Sequence, residues 1–184
     1  MPDANHKYER LRALLLQKAY LTGDFVLTSG KHSRHYFDCK RVTLDPEGLC
    51  IAAELIVEKM KAAEIPAIGG LSIGADPIVA GTVAASWRMG YPISGVIVRK
   101  EPKSHGTSRW IEGPVTPGVK VAVVDDVVTS GGSIIKAIEI CRREGLLPVA
   151  AYSLVDREEG GADAILSNGK VPFDPLFKFG DLFK

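Results

Sequence analysis

An α/β fold with a mostly parallel central sheet flanked by helices is what this chain predicts, on three observations. Unbroken runs of small and branched apolar residues, V-A-V-V at 121–124 and P-V-A-A-Y-S-L-V at 148–155, are the pattern of strands covered on both faces. Segments with apolar residues at helical spacing alternate with those runs. Strand, glycine-bearing turn and helix also follow one another twice, an order that puts ligands at the carboxyl ends of the strands.

Bulk properties set the limits. At 184 residues the chain is one domain of ordinary size, large enough to bury a core. A formal net charge of +1 gives no electrostatic reason to expect nucleic acid or a membrane surface as a partner. Cys39, Cys50 and Cys141 are odd in number and lack C-x-x-C spacing, so neither a disulfide framework nor a zinc site is expected, and a reducing cytoplasm suits them. No apolar run approaches membrane length, and the start M-P-D-A-N-H-K-Y-E-R is too polar for a signal peptide.

Taken in order, residues 8–20 place Leu11, Leu14, Leu15 and Ala19 on one face of a short amphipathic helix. Residues 24–40, D-F-V-L-T-S-G-K-H-S-R-H-Y-F-D-C-K, read as two short strands about a turn from Thr28 to Lys31, with Tyr36 and Phe37 as aromatic surface. Asp45-Pro46 then opens a helix to about Ala63, with an acid at the N-cap and proline in the first turn. Leu49, Ala52, Ala53, Ile56 and Met60 face inward on it, and Cys50 is assigned to packing. Residues 67–82 give a strand, a glycine-bearing turn and a helix starting at Asp76-Pro77, a pattern that an ordinary connection also produces. After a strand at 93–98, residues 99–113 carry Arg99, Lys100, Lys103, His105 and Arg109 against Glu101 and Glu112, without hydrophobic period. That predicts a long mobile loop, either solvated and inert or a lid that brings cations onto an anionic substrate.

The stretch V-A-V-V-D-D-V-V-T-S-G-G-S at 121–133 organises the rest. Asp125 and Asp126 stand at the carboxyl end of the strand, and Thr129, Ser130, Gly131, Gly132 and Ser133 lead into a helix marked by Ile134, Ile135, Ile138 and Cys141. A glycine-rich turn at a helix N-terminus offers amides and the positive end of a dipole to a phosphate. Carboxylates beside a phosphate would be repelled by it, so they suit sugar hydroxyls or a divalent cation. The pieces describe a site for a phosphorylated sugar, although acid pairs also form metal sites in response-regulator-like folds and Gly-Gly also makes plain tight turns. Neither the dinucleotide G-x-G-x-x-G nor a Walker Gly-Lys-Ser/Thr is present. Arg157, in D-R-E-E-G-G after the next strand, is either a surface ion-pair residue or a bidentate grip on a carboxylate.

On these residues the chain resembles the type I phosphoribosyltransferases, which use phosphoribosyl pyrophosphate (PRPP), and among them the orotate phosphoribosyltransferases. The acid pair with T-S-G-G-S is similar to their ribose-phosphate signature, and F-x-L-x-S-G-x-x-S-x-x-Y-F to their N-terminal hood. R-K-E-x-K-x-H-G is similar to their catalytic loop, and V-D-R-x-E-G to the segment that holds orotate. Nearly the whole chain is covered except residues 172–184, an aromatic tail read as packing or interface.

The resemblance implies a type I phosphoribosyltransferase fold with a small hood formed mainly by residues 1–45. It implies transfer of the 5-phosphoribosyl group from PRPP to orotate, giving orotidine 5′-monophosphate and pyrophosphate, with Mg²⁺ held mainly by PRPP and no protein ligands assigned to it. Arg99, Lys100, Lys103 and His105, the turn Ser72, Ile73, Gly74 and Ala75, and Asp125, Asp126, Val127, Val128, Thr129, Ser130, Gly131, Gly132 and Ser133 would contact PRPP. Thr129, Arg157, Lys31, Tyr36 and Phe37 would contact orotate, with Lys103, His105, Asp125 and Asp126 catalytic. The family implies a homodimer in which loop residues serve the partner's site. Two positions depart from it: some members carry lysine where Thr28 stands, and some near Ile73. A purine-base phosphoribosyltransferase would share the PRPP site but leave Arg157 without a carboxylate. A PRPP-sensing regulator would need a basic surface that the balanced charge does not supply.

Overall fold

The computed structural model describes residues 4–26, 32–102 and 109–184. Helix α1 (Ala4–Leu14) continues as a π turn (Leu15–Ala19) into a hairpin of β1 (Tyr20–Val26) and β2 (His32–Phe37). The helix expected to reach Tyr20 stops one residue earlier, because Tyr20 already pairs with Phe37 across the hairpin. The turn expected from Thr28 to Lys31 lies outside the described residues. Leu11, Leu14 and Leu15 are fully buried, and Lys7 sits between Glu54 at 3.0 Å and Glu58 at 2.8 Å. Those two contacts fasten α1 to the helix that carries Glu54 and Glu58, since an ammonium this enclosed is costly unless paired.

A one-turn helix α2 (Lys40–Thr43) leads to α3 (Pro46–Ala62). As predicted, Asp45 caps α3, its carboxylate accepting from the Gly48 amide at 3.0 Å, and Pro46 stands in the first turn, where a missing N–H costs nothing. Ala52, Ala53, Ile56 and Met60 are buried. Leu49 is half-buried and closes on α4 (Asp76–Arg88) at Gly81, where a Cβ would come within 2.6 Å of its Cδ1. Cys50, assigned to packing, is instead exposed, because it lies on the outer face of α3.

Among the described residues the central sheet has six strands, in the order β5 (Ile111–Glu112), β4 (Ser94–Val98), β3 (Ala67–Leu71), β6 (Lys120–Val128), β7 (Leu147–Asp156), β8 (Phe177–Lys178), of which four form its parallel centre. These are β3, β4, β6 and β7, with α5 (Gly132–Arg143) joining β6 to β7. Every residue of β3 is buried, as is the run Val121–Asp126 of β6, which explains their unbroken apolar sequence. Buried clusters fill both sides, one against α1, α3 and α4 and the other against α5.

Two features of the sheet depart from the sequence reading. Within the segment expected to be loop throughout, Ile111 and Glu112 form an edge strand, β5 (Ile111–Glu112), antiparallel to β4. Its anchors are tertiary: the Arg99 amide donates to the Trp110 carbonyl at 2.9 Å, and the Arg143 guanidinium lies 4.2 Å from the Trp110 ring. The tail also joins the sheet, as β8 (Phe177–Lys178) parallel to β7, before the last turn, α7 (Phe179–Leu182). Between β7 and β8 lie α6 (Gly161–Ala164) and a second π turn (Ile165–Gly169). Among the described residues no helix is long and apolar enough to cross a membrane.

The chain reverses its direction of winding between β3 and β6. From β3 it moves outward to β4, and from β6 it moves outward the other way to β7. A reversal of this kind leaves a crevice at the carboxyl ends of the two strands. It is deepened here by unequal pairing: β3 registers with β6 only as far as Gly69 opposite Val123, whereas β7 follows β6 to Val128 opposite Asp156. The last five residues of β6, 124–128, therefore run beyond the pairing with β3 and present Asp125 and Asp126 to an open space.

Candidate active site

That space is a cavity of about 620 Å³. Its walls bring together most of the residues singled out in the sequence: Ser72, Ile73 and Gly74 after β3, Asp125 to Ser133 along β6 and the following turn, Lys100 after β4, Arg157 after β7, and Tyr36 and Phe37 from the hairpin. Arg99 instead lines a neighbouring cavity with Ser72, Ile73 and Lys100, and its guanidinium lies 3.6 Å from Glu112. Ala75 is fully buried beneath the turn. Lys31, Lys103 and His105 lie outside the described residues, as does Thr28.

Asp125 and Asp126 are part of β6 rather than a turn beyond it, since β7 pairs alongside them. Both are nearly buried, and each turns back on the strand: the Asp126 amide donates to Asp125 Oδ1 at 3.0 Å and the Val127 amide to Asp126 Oδ1 at 3.0 Å. Burial, with the charge of Asp126 behind it, pushes the Asp125 pKa up to about 7. Gly74 completes the pocket, because a Cβ there would come within 2.8 Å of an oxygen of each carboxylate. The turn after β3 thus presses its backbone onto the acid pair.

One cation at this pair was not anticipated. Lys40, at the start of α2, reaches Asp126 with its Nζ 3.2 Å from Oδ2. Burial lowers its pKa, but Asp126 outweighs burial and the net shift is upward, so the ammonium keeps its proton. The only hint in the sequence was a charged D-C-K-R directly after Tyr36-Phe37; 86 residues separate Lys40 from its partner, and no local pattern spans that distance.

The turn from Thr129 to Ser133 wraps the N-terminus of α5. Gly131 caps that helix with φ +79°, and a Cβ on it would lie 2.9 Å from Ile165 Cγ1 and 3.0 Å from the Gly161 carbonyl oxygen. Glycine is required there for both reasons. Gly131→Ala is expected to cost about 1–3 kcal/mol of stability. A lower urea midpoint with unchanged m-value would register it.

Of the four amides in the turn after β3, Ser72 donates to the Val98 carbonyl at 2.9 Å and Ala75 to that of Leu71 at 3.5 Å. Ile73 and Gly74, which line the cavity, are the pair suited to meet an anion. Across from them the Arg157 side chain is almost enclosed, donating to the His35 carbonyl at 3.0 Å and lying 2.9 Å from Glu159 Oε1.

A mostly parallel six-strand sheet with a strand-turn-helix at such a crevice is the architecture of the type I phosphoribosyltransferases, and this is the class to which the fold assigns the chain. A solved phosphoribosyltransferase of Corynebacterium diphtheriae superposes on it with a TM-score of 0.85 at 32% identity, covering 97% of this chain and 99% of that one. The orotate phosphoribosyltransferase of Aquifex aeolicus (strain VF5) is 43% identical over 177 residues, 95% of this chain and 96% of the relative. The Mycobacterium tuberculosis H37Rv orotate phosphoribosyltransferase solved in complex with 5-phospho-alpha-D-ribosyl 1-diphosphate matches with a TM-score of 0.81 at 28% identity, over 97% and 99% of the two chains. No family model matches the sequence. The chain belongs to the orotate phosphoribosyltransferase family.

Proposed function

We propose that this enzyme transfers the 5-phosphoribosyl group of PRPP to orotate, forming orotidine 5′-monophosphate and pyrophosphate. The observation that carries the reading is a single cavity walled by both the Asp125-Asp126 pair and Arg157. One recognises a ribose diol, the other a carboxylate on the incoming base, and a purine or uracil has no such carboxylate. The decisive assay is spectrophotometric loss of orotate that requires both PRPP and Mg²⁺.

In this reading the 5′-phosphate rests on the amides and hydroxyls of Thr129 to Ser133 at the positive end of α5. The pyrophosphate rests against Ile73 and Gly74. Asp125 and Asp126 accept hydrogen bonds from the ribose hydroxyls and hold negative charge beside the sugar as its anomeric carbon loses the leaving group. Arg157 orients orotate by its carboxylate, on the side of the cavity that Tyr36 and Phe37 of the hood line. The oxygen-rich wall suits a hard cation, and among the described residues there is no group of three or more His, Cys, Asp or Glu to hold one. The charge of a Mg²⁺ carried in by PRPP would supply further neutralisation of the pyrophosphate.

The segment between β4 and β5 supplies the catalytic cations, and Lys103 with His105 neutralises the departing pyrophosphate. Because that charge grows only as the bond breaks, Lys103→Ala is expected to lower kcat by roughly 10²–10³-fold with a much smaller change in PRPP affinity. Equal losses in both would count against a role confined to the transition state. The working form is a cytoplasmic homodimer in which the loop serves the partner's site. Mixing Lys103→Ala with a site variant such as Asp126→Asn should then restore activity that neither has alone.

A further inference from the structure

The aromatic segment after β7 has no role in the reaction as described so far, yet it reaches the base-binding side of the cavity. β8 registers on β7 with Val155 opposite Phe177 and Asp156 opposite Lys178. One step further along, Phe179 comes beside Arg157, and the guanidinium carbon lies 5.4 Å from the centroid of its ring. The Gly180 amide donates to Glu158 Oε2 at 2.9 Å, which ties this segment to the residue following Arg157.

The same ring joins Arg157 to the hairpin. Phe179 lies 5.7 Å from the His35 ring and 6.1 Å, nearly perpendicular, from that of Phe37, a residue of the cavity wall. The His35 carbonyl in turn accepts from Arg157 Nη1. Arg157 is thus held by the Phe179 ring of α7 and the His35 carbonyl of β2 as well as by the nearby Glu159 carboxylate.

We propose that Phe179 is a positioning residue for base recognition, holding the Arg157 guanidinium at the cavity wall in the orientation that meets the substrate carboxylate. The inference rests on the reading of Arg157 as the carboxylate-binding residue. An aromatic face attracts a guanidinium and limits its rotamers before the ligand arrives, so less ordering remains to be done on binding. A leucine at 179 keeps the apolar volume and removes the π face.

The test is steady-state kinetics of Phe179→Leu, Phe179→Tyr and Arg157→Gln, singly and with Phe179→Leu and Arg157→Gln combined. Phe179→Leu should raise KM for orotate about tenfold, the size of one well-placed cation–π contact, with kcat and KM for PRPP within about twofold. Phe179→Tyr should stay near wild type. The double variant should be no worse than Arg157→Gln, since the ring acts through that arginine. Equal rises in both KM values with Phe179→Leu overturn the proposal and mark the ring as general packing, and so does an unchanged orotate KM beside a raised one in Arg157→Gln. An unchanged orotate KM in Arg157→Gln overturns the reading of Arg157 and this inference together. Phe179→Met, also apolar and without a ring, gives the same readout where the leucine variant does not fold.

Discussion

Asp125→Asn is expected to lower kcat/KM for PRPP by about 10²–10³-fold while making the empty enzyme more stable above pH 7. Both effects come from one enclosed carboxylate. Asp125 has an ordinary pKa of 3.8, and in the folded protein burial and the Asp126 charge raise it to about 7. The folded chain therefore keeps a proton that the unfolded chain releases. That contribution to stability is complete below about pH 4 and is lost as pH rises through about 7. At pH 8 the buried charge costs on the order of 4 kcal/mol relative to a neutral group. Asparagine avoids that cost and keeps an oxygen for the Asp126 amide, 3.0 Å away in the native site. What it lacks is negative charge beside the developing sugar cation. Thermal unfolding of both proteins at pH 5 and pH 8 should show a gap in Tm at pH 8 that narrows at pH 5. The wild-type kcat/KM should fall below about pH 7, and the variant should lack that limb. Identical melting curves at the two pH values would remove the electrostatic basis of this account.

Arg157→Ala should cost about 10²–10³-fold in kcat/KM for orotate, with KM for PRPP little changed. The guanidinium is nearly enclosed, and its removal leaves Glu159 facing an incoming carboxylate with no cation between them. Each charge-assisted hydrogen bond to the substrate carboxylate is worth about 1.5–3 kcal/mol, so losing the double contact costs at least that much. A pyrimidine without a carboxylate, such as uracil, has nothing to lose at this position. The orotate-to-uracil ratio of kcat/KM should therefore collapse by a similar factor. Parallel losses for both bases would mean that Arg157 shapes the pocket without selecting the substrate. Arg157→Lys separates charge from geometry, because an ammonium cannot make the planar double contact.

How much of this was legible in the chain depended on distance along it. Asp125, Asp126 and the turn to Ser133 are contiguous, so strand, acids, glycines and helix could be read as one unit, and the structure keeps them as one wall of the cavity. The Asp45 cap and Pro46 were readable for the same reason: capping is local chemistry. Lys40 was missed because its partner lies 86 residues away. β5 was missed because two residues are too few to show a period, and its support comes from Trp110 on Arg143. The division of amides in the turn after β3 had no signature either, since every residue there carries the same N–H.

By itself the sequence determined the long helices, the buried parallel strands and the residue types that gather at their carboxyl ends, because helix period, buried-strand composition, caps and turns act over a few neighbouring residues. Only the tertiary structure decided how those residues face one another: the run of β6 beyond its pairing with β3, the pairing of Lys40 with Asp126, the enclosure that raises Asp125, and the placing of Phe179 beside Arg157. Burial and through-space charge depend on the packing of segments far apart in the chain, and one segment's pattern does not carry that information.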